Sequence, residues 1–336
     1  MLIKIKNIIA HVLYYTGVIP LLEKTLLKDR CVVLVYHRIV NPEEEIIPVQ
    51  DGMYVTPDVF EMHLHYLKKQ YNLISVEEVI TNLKNRESFN NNCHITFDDG
   101  WKDNYINAFP LLKKYKIPAT VFLSSDFIGT TKWFWPEKVL YLLMKAKRQE
   151  SKIDVNIETK EVLRLFYQAL VYQEERINAV VDFLKNKPIE TIESVIADLK
   201  KLTGINTLPH RRQLLDWKEV LEMVESSITL GSHTETHAIL THPDNEDEIR
   251  REIAGSKDKI EAKTGKLVKS FCFPNGSSTT ELMEMVKKYG YECAFGGEKG
   301  TLGHRDNLYN LKRVGIHNDV ASNIPMFACR IIFNFF

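Results

Sequence analysis

A chain of 336 residues, 44% of them hydrophobic, is long enough to bury one large core, and single α/β barrels of this size are common. Its 44 basic side chains balance 44 acidic ones, so it lacks the cationic surplus of a nucleic-acid-binding protein and suits a neutral or weakly charged ligand. Five cysteines (Cys31, Cys93, Cys272, Cys293, Cys329) are widely scattered with no Cys-x-x-Cys, which argues against a disulfide framework and for buried thiols in a reducing compartment.

In chain order, the first 29 residues form an apolar, helical segment. Residues 7–22 contain no Lys, Arg, Asp or Glu, and Lys4 and Lys6 precede them. No small-residue cleavage site marks a signal peptide, and His11, Gly17 and Pro20 interrupt the run of about 20 apolar residues a membrane span needs. An amphipathic helix seeking a membrane interface fits, with Ile5, Ile8, Ile9, Val12 and Leu13 on one side; a helix packed on the barrel is the alternative. Strand-like and helical runs then alternate. Strands are expected over 31–36, 73–76, 93–97, 117–124, 228–231, 269–273 and 291–296, and helices over 57–69, 76–84, up to 114, 214–224, 245–264 and 279–289. Such β-then-α alternation implies a parallel sheet whose strand ends carry the chemistry. Between about 132 and 214 the alternation stops, leaving a charged helical insertion that opens with Lys132-Trp133-Phe134-Trp135-Pro136. Trp133 and Trp135 either pack within the fold or offer faces to sugar rings. Residues 321–336 are an apolar, Phe-rich tail, read as a second surface contact.

Two stretches carry the chemistry. Thr96-Phe97-Asp98-Asp99-Gly100 places two carboxylates at the end of an apolar run, and Ser232-His233-Thr234-Glu235-Thr236-His237 places two imidazoles four positions apart. On a helical turn that spacing stacks both rings on one face, where they can grip one metal ion. One of the carboxylates completes an Asp, His, His set with a position left for water, the pattern of a hydrolytic metal site. The other carboxylate stays free to take a proton. A glycosidase pair needs about 5 to 9 Å between carboxylates straddling a sugar, which sequence neighbours rarely achieve. No Gly-x-Ser-x-Gly is present for a serine hydrolase, and Cys272 has no recognisable partner in the sequence.

These residues resemble the polysaccharide deacetylase family (carbohydrate esterase family 4) over roughly residues 30–320. The resemblance implies an α/β fold, a distorted (β/α) barrel of the deacetylase type with a helical insertion. It implies Asp98 as catalytic base, and Asp99, His233 and His237 as ligands of one divalent metal ion, zinc first, with cobalt, nickel, manganese or iron as alternatives. The family's third motif survives only in part, as Phe271-Cys272-Phe273-Pro274-Asn275-Gly276. Pro274 and Gly276 are kept, so the Asn275 N–H is implied as an oxyanion donor, while the motif's Arg and Tyr are missing and Arg313 is the candidate replacement. Gly315-Ile316-His317 is the nearest match to the family's Leu-x-His, making His317 the candidate acid. Tyr36-His37-Arg38 is similar to a segment in the branch acting on exopolysaccharides and surface glycans, which draws His37 into the site. The implied activity is hydrolysis of N-acetyl, less often O-acetyl, groups on an N-acetylated glycan or lipid-linked sugar. A metal amidase acting on a lipid-linked sugar with another acyl group and an inactive carbohydrate-binding barrel stand as alternatives. The expected place is the cytoplasm, with peripheral contact at the inner membrane face through the termini; an extracytoplasmic place stays open.

Overall fold

The computed structural model describes residues 2–47, 49–50, 52–146, 154–172, 177–241 and 245–333. The chain divides into two compact units, one of Met1–Asn41, Gly52–Thr130 and Gln213–Phe336, the other of Pro42–Asp51 and Thr131–Arg212.

Among the described residues, ten strands belong to the first unit: β1 (Cys31–Tyr36), β2 (Arg38–Ile39), β3 (Tyr54–Val55), β4 (Asn72–Leu73), β5 (Asn92–Phe97), β6 (Ala119–Leu123), β7 (Ile228–Ser232), β8 (Ser270–Cys272), β9 (Cys293–Lys299) and β10 (Leu311–Gly315). The order β1-β10-β9-β8-β7-β6-β5, with β5 pairing back onto β1, closes seven parallel strands into a barrel. The closing ladder runs from Cys31 opposite Asn92 to Tyr36 opposite Phe97. β4 pairs outside β5, and β2 with β3 form a small separate ladder. Every residue of β1, β5 and β6 is buried, as expected of parallel strands covered on both sides, and it explains why they read as apolar runs rather than alternations.

Helices α1 (Leu2–Tyr15) and α2 (Val18–Leu26) precede β1, and α3 (Pro57–Gln70), α4 (Val76–Asn85) and α5 (Phe109–Tyr115) lie among the first strands. The second unit holds α6 (Trp135–Lys145), α7 (Ile157–Tyr172), α8 (Ile177–Lys185) and α9 (Ile189–Thr203). Val139, Leu142, Leu143, Val162, Val180, Leu184, Val195 and Leu199 form its core. Back in the first unit come α10 (Trp217–Val224), α11 (Glu246–Arg250), α12 (Ser256–Thr264), α13 (Thr280–Lys288), α14 (Asn318–Ala321) and α15 (Ile324–Phe333). Capping boxes start two of them: Ser75 with Glu78 before α4, and Asp216 with Glu219 before α10.

Three expectations change. β10, absent from the sequence reading, completes the barrel. The helices after β5 and over 245–264 are not continuous: π turns at Asn104–Ala108 and Arg251–Gly255 interrupt them. The C-terminal stretch is not a surface contact over its described part. Met326, Phe327, Ala328, Cys329 and Ile331 are buried, and α15 packs against α1, α2 and α3. His63, stacked on Phe327 at 3.8 Å between ring centroids, bonds the Ala321 carbonyl (2.7 Å) and locks this helix region to α3.

Candidate metal and hydrolytic site

The two carboxylates leave the C-terminal end of β5 in different directions. Asp98 continues the ladder, its N–H donating to the Tyr36 carbonyl (3.0 Å). Asp99 then turns into the left-handed region (φ 75°), followed by Gly100 at φ 80°. Aspartate tolerates that conformation better than most residues. Both side chains are buried.

Asp99 faces the His loop. Its Oδ1 lies 3.4 Å from His233 Nε2 and 3.2 Å from His237 Nε2, while its Oδ2 accepts the Trp101 indole N–H at 2.8 Å. His233 Nδ1 donates to the Cys272 carbonyl (2.8 Å), which can only accept, so Nε2 is the nitrogen turned toward Asp99: it donates to the carboxylate as the site stands and would give up that proton to ligate a cation. Three donor atoms, one from each of Asp99, His233 and His237, therefore converge within 4.8 Å of one another. A cation placed among them satisfies all three, and the carboxylate, imidazole, imidazole set with one oxygen already tied back fits a zinc-type ion.

The two histidines do not sit on a helical turn, contrary to the sequence expectation. β7 ends at Ser232, and the following residues form an irregular loop with Thr234 at φ 65° and His237 at φ 60°. A β-branched threonine in that region is strained, and such strain gathers at sites where the surroundings enforce it. Glu252 does the enforcing: its carboxylate accepts the Glu235 and Thr236 N–H groups (both 2.9 Å) and the Thr236 hydroxyl (2.6 Å). The ring centroids of His233 and His237 end 5.0 Å apart.

Asp98 meets a different partner, Arg313 of β10. Arg313 grips it with both arms, Nη1 to Oδ1 at 2.7 Å and Nη2 to Oδ2 at 2.8 Å. The guanidinium also donates to Thr96 Oγ1 (3.2 Å) and Cys272 Sγ (3.0 Å), and the Cys272 thiol in turn lies 3.6 Å from Asp98 Oδ2. Burial works to raise the Asp98 carboxyl, but Arg313, with His233 and His37, outweighs it and holds the group below its ordinary range. Burial likewise works against ionised Asp99, and its bonds with His233 and His237 bring it well below the ordinary range. Burial raises the Cys272 thiol, so it stays protonated and is a poor nucleophile. Asp98, His233 and Cys272 also converge within 4.8 Å, but both Asp98 oxygens are engaged by a permanent cation, which disfavours a second cation there.

Around this pair the Tyr36-His37-Arg38 segment is pinned by the first π turn. Asp103 accepts from Arg38 Nε (2.9 Å) and the Ile39 N–H (2.8 Å), and Asn104 Nδ2 donates to the His37 carbonyl (2.8 Å). His37 Nε2 then lies 4.0 Å from Asp98 Oδ2, and burial lowers its pKa against the pull of the two aspartates. Glu252 belongs to the second π turn, so both π turns carry the residues that hold site loops. The Pro274–Gly276 turn places Asn275 in the left-handed region (φ 56°) and exposed. Gly276 admits no other residue, because a Cβ there would meet Gly297 Cα at 2.3 Å. His317 follows β10, whose Gly315 pairs with Val35, two residues before His37; its Nδ1 lies 3.1 Å from Asp319 Oδ2.

The second unit holds the two tryptophans. Trp133 is only 1% exposed, with its indole N–H on the Arg211 carbonyl (2.9 Å) and an edge contact to Tyr141, so its ring is closed off rather than offered as a platform. Trp135 is half-buried against the helical core. Trp101, Glu252 and Asp103 were not singled out from sequence. An aromatic N–H two residues after the acid pair was the one available signal; nothing local marks Glu252.

Comparison with known proteins then bears on this geometry. Residues 87–294 match the family model described as polysaccharide deacetylase. A poly-beta-1,6-N-acetyl-D-glucosamine N-deacetylase of Staphylococcus epidermidis is 33% identical over 113 residues, 31% of this chain and 39% of that protein. The chain thus spans well under half the length of the curated relatives it matches. Among solved structures, the Streptococcus pyogenes deacetylase PplD superposes with a TM-score of 0.58 at 19% identity, covering 90% of this chain and 98% of that one. IcaB from Ammonifex degensii gives 0.56 at 17% identity, covering 89% and 97%. These structures share the barrel fold.

Proposed function

This chain belongs to the polysaccharide deacetylase family, and on that premise we propose that it is a metal-dependent hydrolase removing N-acetyl, less readily O-acetyl, groups from a sugar in a polysaccharide or glycan precursor. One observation carries the reading: adjacent carboxylates are split between a three-donor cation site at Asp99 and an arginine-locked base at Asp98. Asp99, His233 and His237 would hold one divalent ion, zinc being the first choice for two imidazoles and a carboxylate. Such an ion polarises an acyl carbonyl and brings the pKa of a water toward about 7.

The chain's own residues supply the rest. Asp98, kept ionised and aimed by Arg313, accepts a proton from the attacking water. The Asn275 N–H donates to the oxygen on which negative charge develops, a role typically worth about 3 kcal/mol. Losing the motif tyrosine leaves this donor intact, since any residue supplies a backbone N–H. His317, oriented by Asp319, returns a proton to the leaving amine, and His37 stands neutral beside Asp98. The inactive-barrel alternative rested on the missing motif Arg and Tyr; the Arg313 guanidinium on Asp98, and a backbone donor at Asn275 that needs no tyrosine, favour the active reading.

The relatives' names make β-1,6-linked N-acetylglucosamine oligomers the first substrate to try. Purified protein should release acetate from them, lose that activity to chelator, and regain it with zinc or cobalt. Protein shown to carry one metal ion that releases no acetate from these or other N-acetylated oligomers would overturn the proposed activity.

A further inference from the structure

The outer face of α1 and α2 is apolar where a surface helix is ordinarily polar. Ile5, Ile8, Ile9 and Val12 stand at i, i+3, i+4 and i+7 with Tyr15 one turn on, and all five are exposed, Ile8 at 65% and Tyr15 at 75%. On α2 the exposed side chains include Val18, Leu21 and Leu26. Among the described residues, eight of the fifteen exposed large apolar side chains lie on these two helices; the others are scattered along the chain. Single exposed apolar residues need no explanation, but a contiguous patch does.

The patch is presented by a fixed platform. The inner faces are packed: Ala10, Ile19 and Leu27 are buried, and α1 and α2 lie on α15. Glu23 of α2 is buried and accepts from the hydroxyls of Tyr66 and Tyr71 on the α3 side, both at 2.6 Å. No single described helix is long and apolar enough to cross a bilayer, and the two helices bend by 74° at their junction. With their inner sides clamped to the barrel, they are built to lie along an interface rather than across it.

Charge selects the occupant. Residues 1–30 carry Lys4, Lys6, Lys24, Lys28 and Arg30 against Glu23 and Asp29, in a chain that is otherwise balanced, and Glu23 is buried under its tyrosines. Lys4 borders the stripe on α1 and Lys24 borders the exposed face of α2; both are exposed. An apolar stripe edged by lysines, with a tyrosine at its end, matches the acyl boundary and headgroups of an anionic bilayer. A second copy of the same face would bring these lysines together. We infer that α1 and α2 dock the barrel onto an anionic lipid surface, an inference that rests on this face and not on the hydrolytic reading.

The full chain, centrifuged with vesicles of phosphatidylcholine alone or mixed with phosphatidylglycerol, tests this. It should sediment with the mixed vesicles, less so as salt rises, and poorly with phosphatidylcholine. Ile8→Ser/Val12→Ser/Leu21→Ser should cut the bound fraction about tenfold or more with unchanged thermal unfolding. Lys4→Glu/Lys24→Glu should remove the preference for phosphatidylglycerol. Acetate release from soluble oligomers should be the same in all variants, which separates this inference from the proposed activity. No sedimentation with mixed vesicles, or binding untouched by the triple substitution, would overturn the inference. So would a wild-type dimer that the triple substitution dissociates and that ignores vesicles.

Discussion

Asp98 and Asp99 are chain neighbours with equally buried carboxylates, yet their surroundings answer the two charges differently. Around Asp98 stand a guanidinium and a protonated thiol, so its charge is met by a permanent part of the protein. Around Asp99 stand an indole N–H and the Nε2 atoms of two imidazoles. A buried carboxylate is costly unless something compensates it. At Asp98 the compensation is built in and keeps the group ionised, as the proposed proton transfer requires. At Asp99 it comes from two histidines, which on the proposed reading would share the carboxylate with an exchangeable cation. Adjacent positions at a strand end can be specialised this way because their side chains leave the backbone in different directions and meet different partners.

Substitutions on each side should separate the two roles, and Asp98→Asn should have the largest effect on catalysis. We expect kcat to fall about 10² to 10⁴-fold, the usual range for a general base, with bound metal retained. Activity within a few-fold of wild type would remove Asp98 from the proton-transfer role.

Arg313→Met comes next. It leaves a buried carboxylate without its cation, at a cost of about 3–5 kcal/mol in denaturant unfolding. The pH profile gives the sign. Arg313 holds the Asp98 pKa down, so any limb of kcat/KM that reports Asp98 should move to higher pH in Arg313→Met. The stability from ionised Asp98 is likewise present above the unfolded-state pKa and lost as pH falls through the lower folded one. Arg313→Lys should recover only part, since an ammonium cannot fork both oxygens. An unmoved limb in Arg313→Met would break the link between the two residues.

On the other side, Trp101→Phe removes the donor to Asp99 Oδ2 and should weaken metal binding about 10 to 100-fold, read by competition with a chelating dye. Cys272→Ala should have the smallest effect, under about tenfold in kcat, because a thiol is a weak donor and Arg313 remains. A loss as large as that of Arg313→Met would make the thiol a principal support of the base.

Some of this was legible in the sequence for physical reasons. Fully buried parallel strands are continuous apolar runs, so 93–97 followed by Asp98-Asp99 announced both the strand and the chemistry. β10 was hidden by that same rule, because Lys312 and Arg313 interrupt its apolar run and the second is buried for a purpose. The His loop was misread as helical because His-x-x-x-His spacing is shared by a helical turn and by a loop held in left-handed conformations. What holds it is Glu252, fifteen residues beyond His237, which no local pattern reveals. Apolarity also failed to tell core from surface at the two termini. α15 is buried by its neighbours, whereas α1 keeps an apolar stripe outward, and only packing distinguishes them.

The division of labour between the two aspartates is tested most directly by metal content, measured by mass spectrometry on purified Asp98→Asn and Asp99→Asn beside wild type. We expect one equivalent of divalent metal in wild type and Asp98→Asn, and little in Asp99→Asn. Metal lost from Asp98→Asn but retained in Asp99→Asn would contradict the assignment of base and ligand.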